Sequence, residues 1–148
     1  MKITFIAHSA FLVEWDKFYT LFDYVYEPDY TGTLPPLDPQ KPLLVFSSHS
    51  HEDHFDGKVF GLLEQYPLTQ FFVSRDTRLT ERRRKWLGIS DEAFARTTVL
   101  RPDSILLTEA AGEELSVRAI KSTDIGNAYL LRAEGKMVYH GGDLNWWH

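Results

Sequence analysis

The sequence predicts an α/β (α+β) domain in which helices pack against a mixed sheet, and three observations lead there. The residues before Tyr24, and those from Thr98 onward, read as short β-branched and aromatic runs separated by polar breaks. Between them, compact apolar runs alternate with charged stretches of helical character. The order is therefore β-rich, then strand–helix–strand–helix, then β-rich, which places helices against a mixed sheet. At 148 residues and 43% hydrophobic content the chain has the size of one domain, 1–148. No repeat, low-complexity tract or Gly/Ser linker divides it.

Taken in order, Lys2–Ala7, Phe11–Trp15 and Tyr19–Tyr24 are the first strands, with Trp15-Asp16-Lys17-Phe18 as a hairpin connection. A loop containing Pro28, Gly32, Pro35, Pro36, Pro39 and Pro42 follows, too proline-dense for a regular element. Leu43-Leu44-Val45-Phe46 suits a strand buried on both faces. Gly57–Gln65 places Val59, Phe60, Leu62 and Leu63 on one face of a short helix that ends before Pro67. Phe71–Ser74 reads as a strand, and Asp76–Leu87 as a charged helix terminated by Gly88. Ser90 or Asp91 caps a second helix that runs through Arg96. The last strands are Ser104–Thr108, Leu115–Lys121, Ala128–Ala133 and Met137–His140, with Glu134-Gly135 as the final turn.

The chain contains no cysteine, which excludes disulfides, thiolate metal sites and cysteine nucleophiles. Any metal must then be held by His, Asp and Glu. With 16 Lys and Arg against 21 Asp and Glu, the net charge of −5 argues against a dedicated nucleic-acid-binding domain and favours a small-molecule substrate. The apolar stretch at the N-terminus is too short for a signal peptide, and no later run reaches transmembrane length. The expectation is a cytoplasmic protein without a membrane partner.

Three of the six histidines fall within Ser48-His49-Ser50-His51-Glu52-Asp53-His54, in the pattern His-x-His-x-Asp-His. In a chain of this composition such a match arises by chance on the order of once in a thousand. The cluster follows a buried strand and precedes a helix, the place where open α/β sheets carry their sites. In an extended segment His49 and His51 point the same way and can share one ion. Asp53 and His54, at the bend, can turn toward a second. An acid among imidazoles balances the charge of a dication and can orient or deprotonate water bound to it.

This segment resembles the metallo-β-lactamase-fold hydrolases. Ile6-Ala7-His8-Ser9-Ala10-Phe11, Leu21-Phe22-Asp23 and His140-Gly141-Gly142-Asp143-Leu144-Asn145 support the likeness, which is to the lactonase-like bacterial branch. It implies a metallo-β-lactamase-like αββα sandwich, of which this chain would hold the N-terminal part, C-terminally incomplete. It also implies a metal-dependent hydrolase that directs a metal-bound hydroxide at an ester, lactone or phosphoester. The cofactor would be up to two divalent ions, zinc foremost, with manganese or iron as alternatives. By the same resemblance His49 and His51 hold the first ion, Asp53 and His54 the second, and Asp143 bridges the two. Asp53 also orients the water, while Asp23 orients a ligand imidazole. On the residues alone, Asp143 reads equally as a turn aspartate and Asp23 as a strand-end acid. His8, in the first turn, is either a structural histidine or a contact to substrate or metal-bound water.

Two departures from the family pattern stand out. Where a third histidine for the first ion is expected, the chain has Lys121-Ser122-Thr123-Asp124-Ile125-Gly126-Asn127, so either Asp124 substitutes as an oxygen ligand or that position is weak or vacant. The family also continues beyond the bridging aspartate, and His148 is too close to the terminus to replace the ligand found there. The isolated chain is therefore expected to be inactive, with activity belonging to a longer parent. The rival reading is a non-catalytic metal-binding or regulatory module that keeps the fold without a complete dinuclear site. A half-built sandwich is expected to expose the inner face of its sheet and to self-associate through that face and through Trp146 and Trp147. The basic stretch Arg75, Arg78, Arg82, Arg83, Arg84 and Lys85, interleaved with Asp76 and Glu81, reads as a solvated helix face.

Overall fold

A computed structural model describes residues 1–145. Six strands form the first sheet: β1 (Lys2–Ala7), β2 (Ala10–Glu14), β3 (Tyr19–Phe22), β4 (Leu43–Ser47), β5 (Thr69–Ser74) and β6 (Thr97–Leu100), in that order across it. β1, β2 and β3 pair antiparallel through tight connections, and β3 to β6 pair parallel. The second sheet is antiparallel, in the order β10 (Lys136–His140), β9 (Asn127–Ala133), β8 (Glu113–Lys121), β7 (Ile105–Ala110).

Three short helices, α1 (Leu62–Gln65), α2 (Glu81–Trp86) and α3 (Asp91–Ala95), lie in the crossovers between parallel strands. The predicted helix over Gly57–Gln65 is a 3₁₀ turn, Gly57–Gly61, running into α1, with Asp56 accepting from the Lys58 N–H at its start. The predicted helix from Asp76 is broken. Arg75–Thr77 is a separate 3₁₀ turn, Arg78 is left-handed, and α2 begins only after Thr80, whose hydroxyl accepts from Arg83 N–H. Strand β6 was not foreseen, because Thr97-Thr98-Val99 carries no apolar alternation. It forms by parallel pairing with β5.

Alternation along the buried strands supplies two cores. Leu43 and Val45 face the helices with Leu12, Leu21, Phe71, Phe60 and Ile89. Leu44 and Phe46 face the other way and pack, with Val13, Phe22 and Phe72, against Leu115, Val117, Tyr129 and Leu131 of the second sheet. The expected bare inner face is thus corrected: the four-stranded sheet covers it. Exposed apolar residues include Ile105, Leu107, Met137 and Tyr139 on the far side of that second sheet, Ile3 and Phe5 on β1, and Trp86 on α2. Trp146, Trp147 and His148 lie outside the described residues. Among the described residues no helix is long and apolar enough to cross a membrane.

Because β1, β3, β4 and β5 run parallel to one another in the first sheet, their carboxyl ends emerge together. The ends of β8 and β10 meet them there: Ser122 bonds to the Asp143 carbonyl, and His140 reaches Asp23. One end of the sandwich therefore collects the loops that carry residues 8, 23, 48–54, 74–78, 122–126 and 140–143.

Candidate metal centre

After β4 the chain bends already at His49–His51, where an extended segment was expected, and turns at Glu52–His54, where the bend was expected. The N–H groups of His54 and Phe55 both donate to the His51 carbonyl, at 3.0 and 2.8 Å, folding the cluster into a turn. His49 and His51 still converge, with Nε2 of the first 3.1 Å from Nδ1 of the second. Two ligand groups result, His49–His51–Asp143 and His8–Asp53–His54, and within each the ligand atoms lie within 4.8 Å of one another. Asp143 stands between them. Its Oδ2 is 3.6 Å from His49 Nε2 and its Oδ1 is 3.1 Å from His54 Nε2, so each oxygen addresses a different group.

Beneath the ligands Asp23, 1% exposed, acts as a hub. Oδ1 accepts from the Ser48 N–H, and Oδ2 faces Ser48 Oγ, His54 Nδ1 and His140 Nε2, all at 2.7 Å. Burial opposes its charge, but the His140 and His54 partners outweigh burial and hold the carboxyl well below its ordinary range. An ionised carboxylate only accepts, so His54 carries a proton on Nδ1, and in the neutral ring Nε2 presents a lone pair. That Nε2 is buried, has no hydrogen-bond partner, and faces Asp53 Oδ2 at 3.4 Å and Asp143 Oδ1 at 3.1 Å. A nitrogen lone pair and two carboxylate oxygens in mutual contact repel unless a cation or a proton lies between them. The donor set therefore fits a divalent ion bound by imidazole and carboxylate.

The remaining charges agree. Burial works to lower the His54 pKa, but the Asp23 hydrogen bond and the charges of Asp23, Asp143 and Asp53 raise it, so a proton competes with an ion for the gap. His49 goes down, chiefly through burial and then through His54. Burial works to raise Asp53, yet the His8 hydrogen bond at 2.9 Å and the His54 charge hold it below 3.8. His8 and Asp23 both adopt left-handed backbone, with φ of 47° and 46°, a strained choice for residues with a Cβ.

Residues 2–146 match the family model of the beta-lactamase superfamily domain. The chain belongs to the metallo-β-lactamase superfamily. A curated relative, a UPF0173 metal-dependent hydrolase of Opitutus terrae, is 29% identical over 153 aligned residues, covering 97% of this chain and 63% of its own length. The chain thus spans under two-thirds of that relative. Among solved structures, the metallo hydrolase Igni18 of Ignicoccus hospitalis superposes with a TM-score of 0.66 at 22% identity, over 98% of this chain and 61% of its own. A protein of unknown function from Enterococcus faecalis gives 0.57 at 17% identity, over 94% and 41%. These two likenesses concern the fold.

Within this superfamily frame, the structure brings His49, His51, Asp53, His54 and Asp143 together, with Asp23 behind them. Asp124 joins neither group. It is exposed in the β8–β9 loop, and Asp143 takes the third place beside His49 and His51. His8 sits among the ligand atoms of the second group rather than apart from them. Sequence reasoning missed His140 as a partner of Asp23. The signal was available in strand alternation, since Val138 and His140 share the inward face of β10 while Met137 and Tyr139 are exposed. Gly126 closes the site from the β8–β9 loop: at φ 75°, a Cβ there would strike the Ser48 carbonyl and come within 2.6 Å of the His49 Cβ.

Proposed function

We propose that the protein is a metal-dependent hydrolase of an ester, lactone or phosphoester small molecule, with zinc, manganese or iron as its divalent ion and up to two ions per chain. The observation that carries this reading is the orphaned, fully buried Nε2 of His54 facing two carboxylates, one of them Asp143 of the neighbouring His49–His51–Asp143 group. His49, His51 and Asp143 would hold one ion; His8, Asp53, His54 and Asp143 the other. Bound there, the ions supply Lewis acidity and lower the pKa of water.

The chain's own residues do the rest. Asp53, kept ionised by His8, accepts a hydrogen bond from the attacking water and fixes its direction. Asp23 holds the His54 ring in the tautomer that presents Nε2. Asp143, tethered through its carbonyl to the Ser122 hydroxyl at 2.8 Å, holds the spacing between the two groups.

Metal titration followed by dialysis tests the assignment. His51→Ala and His8→Ala should each remove one ion from the wild-type stoichiometry, and Asp143→Ala should weaken both. Unchanged stoichiometry in Asp143→Ala would overturn the reading. A panel of an aryl ester, a lactone and a phosphodiester, assayed with and without Asp143→Ala, then assigns the substrate class.

A further inference from the structure

The arginines that read as a solvated helix face are not all in one. The break at Arg78 turns the segment after β5 back on itself, and a cleft of about 740 Å³ opens there. Its walls include Ser74, Arg75, Asp76 and Arg78 from the β5 end and Arg83 from α2, while Ser50 and Gly126 come from the loops of the metal centre. The cleft and the centre share a wall. Ser50, between His49 and His51, donates its N–H to Asp76 Oδ2 at 2.9 Å, and Gly126 rests on His49.

The arginine charges in this cleft lack ion-pair partners. Among the described residues neither Arg75, Arg78 nor Arg83 forms an ion pair, whereas nearby Arg84 and Arg96 each hold glutamates or aspartates. Three guanidinium groups lining one concavity against one carboxylate give a local positive field in a chain whose net charge is −5. Two donors are orphaned as well: the Ser74 hydroxyl, 1% exposed, and the buried Arg83 Nε–H. Arg78 itself is left-handed, with φ 49°, a conformation that residues with a Cβ adopt mostly where the surroundings demand it. Unpaired arginine forks and an unpartnered hydroxyl in one cleft are the kind of donors that planar or tetrahedral oxyanions take.

We infer that the Arg75–Arg78–Arg83 cleft binds an oxyanion, phosphate or carboxylate, carried by the substrate whose scissile group lies over the metal centre. This rests on the hydrolase reading for its purpose, though not for its binding chemistry. Asp76 Oδ1, also without a partner, is placed to accept from a hydroxyl beside that oxyanion.

The test is calorimetric titration of inorganic phosphate and, separately, acetate into metal-free protein at constant ionic strength, with arginine Nε–H shifts followed by NMR. The comparison is an R75Q/R78G double variant, in which glycine suits the left-handed backbone. Wild type should bind one of the two anions with the Arg83 Nε–H shifting, and the double variant should bind it at least tenfold more weakly with an unchanged melting temperature. The anion that binds more tightly identifies the source as a phosphorylated or a carboxylated substrate. Absence of binding to wild type, or equal binding by the double variant, overturns the inference. Zinc stoichiometry, measured by titrating zinc back into a separate portion of the same protein, separates the two readings: zinc binding without anion binding sinks the cleft alone, and anion binding without zinc binding sinks the hydrolase.

Discussion

Replacing Asp23 by asparagine separates shape from charge at the base of the site. The variant keeps the volume and the Oδ1 that accepts from Ser48 N–H, but it puts an NH₂ where Oδ2 meets His54 Nδ1 and His140 Nε2 at 2.7 Å. Two donors cannot face each other, so the His54 proton moves from Nδ1 to Nε2, onto the atom that faces Asp53 and Asp143. Metal binding must then first reverse that tautomer. Outer-shell partners of ligating histidines are typically worth about 10–100-fold in metal affinity, or about 1.4–2.7 kcal/mol. Asp23→Ala is a poorer probe, because it leaves buried groups unpaired and costs about 3–5 kcal/mol of stability. Zinc affinity measured by competition with a chromophoric chelator, together with histidine nitrogen NMR, reads both parts of the argument. An affinity within twofold of wild type, with the proton still on His54 Nδ1, would refute it.

Two further outcomes follow from the same geometry. Gly126→Ala forces a Cβ against the Ser48 carbonyl and the His49 Cβ at a positive φ, so denaturant unfolding should show a loss of about 2–4 kcal/mol; a loss below 0.5 kcal/mol would mean that the loop simply shifts. Zinc affinity should climb as pH rises through and beyond 6.5, since the raised His54 pKa keeps a competing proton on the ligand there, while His49, shifted down, is already neutral. In the metal-free fold the His54 contribution has the opposite sign: present below 6.5, it is lost as pH rises through the raised value. A flat affinity between pH 6 and pH 8 would contradict the ligand role of His54.

Local chemistry was legible in the sequence and long-range meetings were not. The run from His49 to His54 announces itself because its residue types are costly to crowd together for structural reasons alone. The strand Leu43–Ser47 follows from its unbroken apolar run, and Glu113–Lys121 from its alternating apolar spacing. His8, by contrast, is one histidine in a hairpin turn; its role depends on the first hairpin lying beside the β4 loop, which brings it 2.9 Å from Asp53. Sheet registry set that approach, and nothing in its immediate neighbours encodes it. The broken helix at Arg78 escaped for a related reason. Charged residues at helical spacing carry the eye across it, while Thr80, which caps α2, marks where the helix starts.

The Asp23–His140 contact joins residues 117 positions apart, one at the end of β3 in the first sheet and the other at the end of β10 in the second. During synthesis the histidines of the β4 loop leave the ribosome long before β10 exists, and until β10 docks they lack both Asp143 and the finished hub that fixes their tautomers. The hub is therefore complete only once β10 has docked and the two sheets have closed on each other. Before that contact forms, the β4-loop imidazoles have neither Asp143 nor the His140 side of the hub beside them, so the ligand spacing described above is a property of the two sheets together rather than of the loop.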